Sequence, residues 1–177
     1  LLKTSSNGTL TWSKTYGRSS LNERGINVHQ TSDGGYIVNG SGVLIRTNAN
    51  GDTLWTAAYN YPNAYGYDQA NDIYVDSAGN VYVTGQSDSD PTSVINDDYL
   101  TVKYSSSGLK LWDARFNGTG NGIDRPVKVM ADASGNVVVT GRSDNGSNDD
   151  YVTIKYNSTG GVQWQVTGNR GGRERAT

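Results

Sequence analysis

The stretch "DDYLTVKYSSSGLKLW", residues 97–112, decides how this chain is read, because it returns as "DDYVTIKYNSTGGVQW" at 149–164. In the later copy Val152, Ile154 and Tyr156 fall on one side, and Tyr151, Thr153 and Lys155 on the other. That period of two is the pattern of a half-buried strand. A polar turn then closes on glycine, and a tryptophan follows four residues on. "SSNGTLTW" (5–12) and "NANGDTLW" (48–55) repeat the arrangement, so every tryptophan of the chain stands in it.

A second motif alternates with the first. "DIYVDSAGNVYVTGQS" (72–87) matches "PVKVMADASGNVVVTGRS" (126–143), and "INVHQTSDGGYIVNGS" (26–41) is a weaker copy, followed by "VLIRTNANGDTLW" (43–55). Each unit carries four strand candidates; in the last they are 127–132, 136–143, 150–156 and 161–166. Val137-Val138-Val139 is apolar without a break, as expected of a strand covered on both faces. Between strands stand "SDGG", "DSAG", "DASG" and the S-x-x-G type turns, which supply glycine for positive φ and Asp, Asn or Ser to bond their own backbone. No stretch of helical length is free of glycine with a helical period.

Four antiparallel strands repeating at about fifty residues make an all-β chain with the blade pattern of a β-propeller. The units divide as a half blade at 1–25, blades at 26–70, 71–125 and 126–170, and the start of a further blade at 171–177. About three and a half blades leave a ring open, so the expectation is one part of a larger propeller, its remaining blades lying in the same or another chain. Trp12, Trp55, Trp112 and Trp164 are expected to wedge between successive blades.

With these motifs in view, "DYLTVKYSSSGLKLW" followed by "DRPVKVMADASGNVVVTG" resembles the SBBP-type repeat of bacterial seven-bladed propellers. The resemblance covers nearly the whole chain. It departs in the first full unit, where Ser41 and Arg46 replace the aspartate and lysine of the pattern. It implies an exported or cell-surface bacterial protein with a binding or scaffolding role and no catalytic residues to carry over.

Composition narrows the function. A net charge of −2 and a pI of 5.3 give no basic field for nucleic acid. The absence of cysteine excludes a disulfide scaffold and thiolate metal sites. No apolar run approaches the ~20 residues of a membrane helix. His29 is the lone histidine, in a strand-like setting, and no Gly-x-Ser-x-Gly occurs, so nucleophilic catalysis has no support. The expectation is a non-enzyme, with a carbohydrate-binding or accessory propeller of an extracellular hydrolase as the alternative. An enzyme whose catalytic residues lie outside this sequence is the less favoured third.

In a four-stranded blade the 1–2 and 3–4 turns share one end, and the 2–3 and 4–1 connections the other. Here the second set is long and varied, so a protein or glycan partner is expected there. "YNYPNAYGYD" (59–68) offers Tyr59, Tyr61, Tyr65 and Tyr67 with Asn60 and Asn63, rings and amides suited to sugars. Their packing at the blade edge is the preferred reading. Asp88, Asp90 and Asp97, with Asp144 and Asp149 in the next unit, gather oxygens that calcium would accept. Turn formation competes with that, and no other cofactor is implied. Thr53 and Ser77, each after an aspartate, fit an acceptor pattern for O-linked glycans on exported proteins. The repeated base at Lys3, Arg46, Lys103 and Lys155 is expected to lie on the blade surface or pair with aspartate.

Overall fold

The computed structural model describes residues 1–17, 24–40, 42–59, 68–88 and 96–168. Among these, β1 (Leu2–Thr4) and β2 (Leu10–Ser13) form a hairpin. Three four-stranded sheets follow. The first is β3 (Gly25–Gln30), β4 (Tyr36–Gly40), β5 (Val43–Thr47) and β6 (Thr53–Ala58). The second is β7 (Gln69–Val75), β8 (Val81–Asp88), β9 (Asp97–Tyr104) and β10 (Lys110–Phe116). The third is β11 (Arg125–Ala131), β12 (Val137–Asp144), β13 (Asp149–Tyr156) and β14 (Val162–Gly168). Each sheet is an antiparallel meander in chain order, and no described helix is long and apolar enough to cross a membrane. The fold is a β-propeller, and in the last unit the expected strand limits lie within two residues of those observed.

Local chemistry explains the repeats. In the D-x-x-G-N turns, Asp132 Oδ1 accepts the amides of Ser134 and Asn136, while Oδ2 accepts the Asn136 side chain, each at 2.9 Å. Asp76 does the same for Ala78 and Asn80. The donated bonds hold Asp132 below its ordinary carboxylate value, with the Asn136 side chain the main cause. Burial raises Asp76, but the hydrogen bonds from Asn80, Tyr82 and Ala78 together outweigh it. The glycine of the V-T-G segment has a different cause. A Cβ on Gly85 or Gly141 would stand 2.0 or 2.2 Å from the carbonyl oxygen of Gln69 or Arg125. Strand 1 approaches there and then slips register, between Ala70 and Asp72 in one sheet and Pro126 and Lys128 in the next.

The sheets face one another across two apolar layers. Ile37 and Leu44 pack with Ile73, Val81, Val83, Val102 and Tyr104, and Tyr82 and Tyr99 with Val129, Val137, Val139, Val152 and Ile154. The inner strands are also stitched by side chains. Asn27 donates to the Asn71 carbonyl at 2.6 Å, and Asn71 to that of Pro126 at 2.8 Å. Asp72 accepts Lys128 Nζ at 3.1 Å and the Val129 amide at 3.0 Å.

The tryptophans are the outer clasp. Trp12, Trp55 and Trp112 each reach forward one sheet, their Nε1–H donating to the carbonyls of Ala49, Ser106 and Ser158 at 3.2, 2.9 and 3.0 Å. Each ring lies over the turn glycine there: a Cβ on Gly51, Gly108 or Gly160 would meet it at 2.9, 2.7 or 3.0 Å. Those glycines therefore serve a left-handed turn and a close approach at once. The repeated base pairs across the strands with each tryptophan: Lys3 with Trp12, Arg46 with Trp55, Lys103 with Trp112, Lys155 with Trp164. Arg46 and Lys155 meet Asp33 and Asp132 of the neighbouring turn, at 2.6 and 3.7 Å, while Lys103 and Lys3 lie over the rings of Tyr82 and Tyr36.

One expectation is corrected at the last sheet. Val81, Tyr82 and Val83 are all buried, but Val138 is only half-buried between buried Val137 and Val139. The continuous apolar run of β12 has one face with no described sheet over it.

Candidate functional site

The described 4–1 connection, 117–124, and the described 2–3 connection, 145–148, meet at one end of the blades. Between the second and third four-stranded sheets they are tied together by Asp124, which is fully buried. Its Oδ2 accepts the Gly118 amide at 2.5 Å and its Oδ1 the Asp144 amide at 3.0 Å. Its own amide donates to the Asp97 carbonyl at 2.6 Å, and the Gly120 amide to that of Asp144 at 3.0 Å. Burial pushes the Asp124 carboxyl above its ordinary value, although the Gly118 and Asp144 amides and the Ser143 hydroxyl favour its charge. The carboxylate is thus a brace that fixes the shape of the loop end.

Beside this brace is a cavity of about 340 Å³, lined among others by Phe116, Asn117, Asn145, Asp150, Gln165 and Thr167. Asn145 holds Asp150 Oδ2 at 2.9 Å and Asn148 Oδ1 at 2.8 Å. The lining combines one aromatic edge with amides, three hydroxyls and two carboxylates, which suits a ligand rich in hydroxyl or amide groups. A larger cleft of about 600 Å³ lies between the β1–β2 hairpin and the next sheet. It exposes Val38 and Ile45, whose counterparts in the other sheets are core, so it reads as a packing surface and not as a polar site.

Arg115 was not singled out by sequence, yet it organises the neighbouring corner. Its Nε donates to Asp98 Oδ2 at 2.8 Å, and its other nitrogens to the Ser87 hydroxyl at 3.2 Å and carbonyl at 2.5 Å. Asp98 Oδ1 is buried and accepts no hydrogen bond from a described residue. Burial raises Asp98 and outweighs the guanidinium. The only hint in the sequence was the pairing of an aspartate at the start of strand 3 with a serine closing strand 2.

Of the residues weighed for a sugar platform, the first follows the preferred packing reading. Tyr59 is fully buried and its hydroxyl donates to the Leu100 carbonyl at 2.6 Å, so the ring belongs to the core and offers no face to a ligand. Asn60, Tyr61, Asn63, Tyr65 and Tyr67 lie outside the described residues. Of the expected calcium ligands, Asp88 stands opposite Asp97 and Asp144 opposite Asp149, each pair closing a 2–3 hairpin. Asp97 accepts Gln86 at 3.0 Å and Asp149 is ion-paired to Arg142; Asp90 is outside the described residues. Among the described residues no three His, Cys, Asp or Glu side chains group as a metal site. Thr53 and Ser77 are both exposed, as a glycan acceptor would have to be. His29 is half-buried beside the β3–β4 turn, at the opposite end of the blade from the loops.

Against known families, residues 61–91 match the SBBP model, described as a beta-propeller repeat. The match spans one repeat of the chain and is consistent with an SBBP-type repeat protein. No curated protein matches it. Similar solved structures include a protein of unknown function from Bacteroides caccae, at 12% identity over 93% of this chain and 73% of that one, with a TM-score of 0.33.

Proposed function

We propose that this chain is a non-enzymatic binding and scaffolding propeller, exported or displayed on a bacterial surface, which engages a glycan or protein partner through its 2–3 and 4–1 loops. The observation that carries the reading is the braced loop end: Asp124 pins two connections, and a polar cavity with an aromatic edge opens beside it. The charge-poor, cysteine-free composition supports export. The distance of the lone histidine from the loop carboxylates supports a role without catalysis. A glycan array tests the ligand class, with Asn145→Ala and Gln165→Ala as variants of the cavity and Tyr61→Ala and Tyr65→Ala for the tyrosine-rich segment of the sequence. Binding that falls at least tenfold in the cavity variants upholds the proposal. Binding that none of the four substitutions changes refutes it, and so does turnover of a bound glycan.

A further inference from the structure

The joint between the β3–β6 and β7–β10 sheets lacks a ring that the following joint contains. Cross-strand register sets His29, Ile37, Arg46 and Trp55 in one row of the first sheet. Tyr74, Tyr82, Lys103 and Trp112 form the same row in the second. Both rows face forward onto the turns of the next sheet, where Trp55 and Trp112 donate to Ser106 and Ser158. In the second row Tyr82 is fully buried, with Lys103 Nζ over its ring at 5.0 Å. Its hydroxyl donates to Asp76 Oδ2 at 3.0 Å, and a Cβ on Gly135 of the next turn would stand 3.7 Å from that hydroxyl oxygen. Ile37 has no ring to extend that far. A Cβ on Gly79, the counterpart of Gly135, would meet only Ser106 Cβ among the described residues, at 3.2 Å. A cavity of about 300 Å³ remains, lined among others by Thr31, Asp33, Arg46, Trp55, Gly79 and Ser106. Thr31, Arg46 and Gly79 hold the positions of Asp76, Lys103 and Gly135, the three groups that surround the Tyr82 phenol.

We propose that this cavity is a binding site for a phenolic ring, the group that Tyr82 supplies from within the chain one joint later. The ring lies against the Arg46 guanidinium, as Tyr82 lies beneath Lys103, and its hydroxyl donates to Asp33. Arg46 Nη2 donates to both Asp33 oxygens, at 2.7 and 2.6 Å, yet the Asp33 side chain is 62% exposed and has room for a further donor. The Thr31 hydroxyl, then Arg46 and the Gly35 amide, hold that carboxyl well below its ordinary value, so it stays charged and acts only as an acceptor. Because Arg46 and Asp33 offset each other's charge, the site favours a neutral ring over a phosphate or a carboxylate. The same chemistry comes from a free phenol or from the tyrosine side chain of a peptide. The cavity opens among the 1–2 and 3–4 turns, at the end of the blades opposite the loops, and its failure would leave the loop proposal as it stands.

Titration of the 177-residue chain with p-cresol, followed by the tryptophan indole N–H resonances, tests the site. Toluene serves as the ring without a hydroxyl, and N-acetyltyrosinamide as the ring on a peptide backbone. p-Cresol should shift the Trp55 resonance, whose ring lines the cavity, and leave that of Trp112, whose joint already holds Tyr82. Toluene should bind about tenfold more weakly, for want of the hydrogen bond to a charged acceptor. Ile37→Tyr returns the missing ring from within and should abolish the Trp55 shift. Asp33→Asn changes an exposed side chain outside the core and should weaken p-cresol by about tenfold. Binding of N-acetyltyrosinamide as tight as that of p-cresol identifies the occupant as a tyrosine side chain, and binding of p-cresol alone as a free phenol; both uphold the site. A Trp55 resonance that does not move at millimolar p-cresol overturns the proposal, and so does toluene bound as tightly as p-cresol. A shift that persists in folded Ile37→Tyr overturns it as well. An affinity unchanged by Asp33→Asn does the same, whether or not Ile37→Tyr folds.

Discussion

Alanine at Gly108 tests whether the turn glycine is there for the backbone or for the tryptophan above it. Its φ of 85° places a side chain in the left-handed region, which costs about 1–2 kcal/mol. Its Cβ would also stand 2.7 Å from Trp55 Cδ2, and overpacking of that kind adds about 1–3 kcal/mol. Gly135 supplies the control. Its φ is 76° and a Cβ there meets nothing nearer than 3.6 Å, so Gly135→Ala carries the strain alone. The expected losses are about 2–5 kcal/mol for Gly108→Ala and about 1–2 kcal/mol for Gly135→Ala. Urea unfolding followed by far-UV circular dichroism resolves them, because a slope of about 1–3 kcal/mol per molar makes the difference a midpoint shift of order 1 M. Trp55→Ala removes the ring, and in that background the two substitutions should cost the same, the difference being their coupling. Equal losses in the wild-type background would refute the reasoning and leave the glycine as a turn residue only.

Other outcomes follow from the same geometry. Burial raises Tyr104 and Tyr156 from 10.0 to about 12, and raises Tyr59, Tyr82 and Tyr99 as well. Folded values above unfolded ones mean that this stability is whole below pH ~10 and is lost as pH climbs toward ~12. Phenolate absorbance should therefore rise together with unfolding, and a gradual rise in a still-folded chain would contradict it. Arg115→Ala leaves Asp98 charged, buried and without its ion pair, a loss of about 3–5 kcal/mol. Asp98→Asn with Arg115→Met should recover most of that in thermal melts, and no recovery would sink the account of this corner. Asn71→Ala removes one bond between inner strands, about 1 kcal/mol. Amide exchange should quicken along β11 more than along β14, and a uniform change would count against the stitching.

The blade was legible in the sequence because its determinants are local. The period of two in 150–156, the Asp and Asn that accept their own turn amides, and the tryptophan four residues beyond a glycine all act within a few residues of one another. The contact of Trp12, Trp55 and Trp112 with the next blade was legible too, since a residue repeated once per blade must answer to something repeated once per blade; Trp164, expected to do the same, is exposed among the described residues. The role of Tyr59 was left open between packing and sugar binding for the opposite reason. This residue ends one blade and its hydroxyl finds Leu100 in the next, 41 residues on, and nothing near it in sequence separates a buried tyrosine from a displayed one. Arg115 was missed likewise, because its partners at 87 and 98 come from other strands and its position holds Ala58 and Thr167 in the neighbouring blades. Val138 shows a third limit: a residue can be shaped for burial while the surface that would bury it is absent from the described chain.

The forward reach of each tryptophan gives the chain a direction. Because Trp12, Trp55 and Trp112 each hydrogen-bond to a turn of the next sheet, each of these described joints is written in two neighbouring repeats. Blades are then interchangeable parts with a common plug and socket. A gene that duplicates or drops one whole repeat, cut between a tryptophan strand and the following strand 1, leaves every remaining joint with both of its halves. Such a lineage can change the number of its blades without having to redesign any one of them.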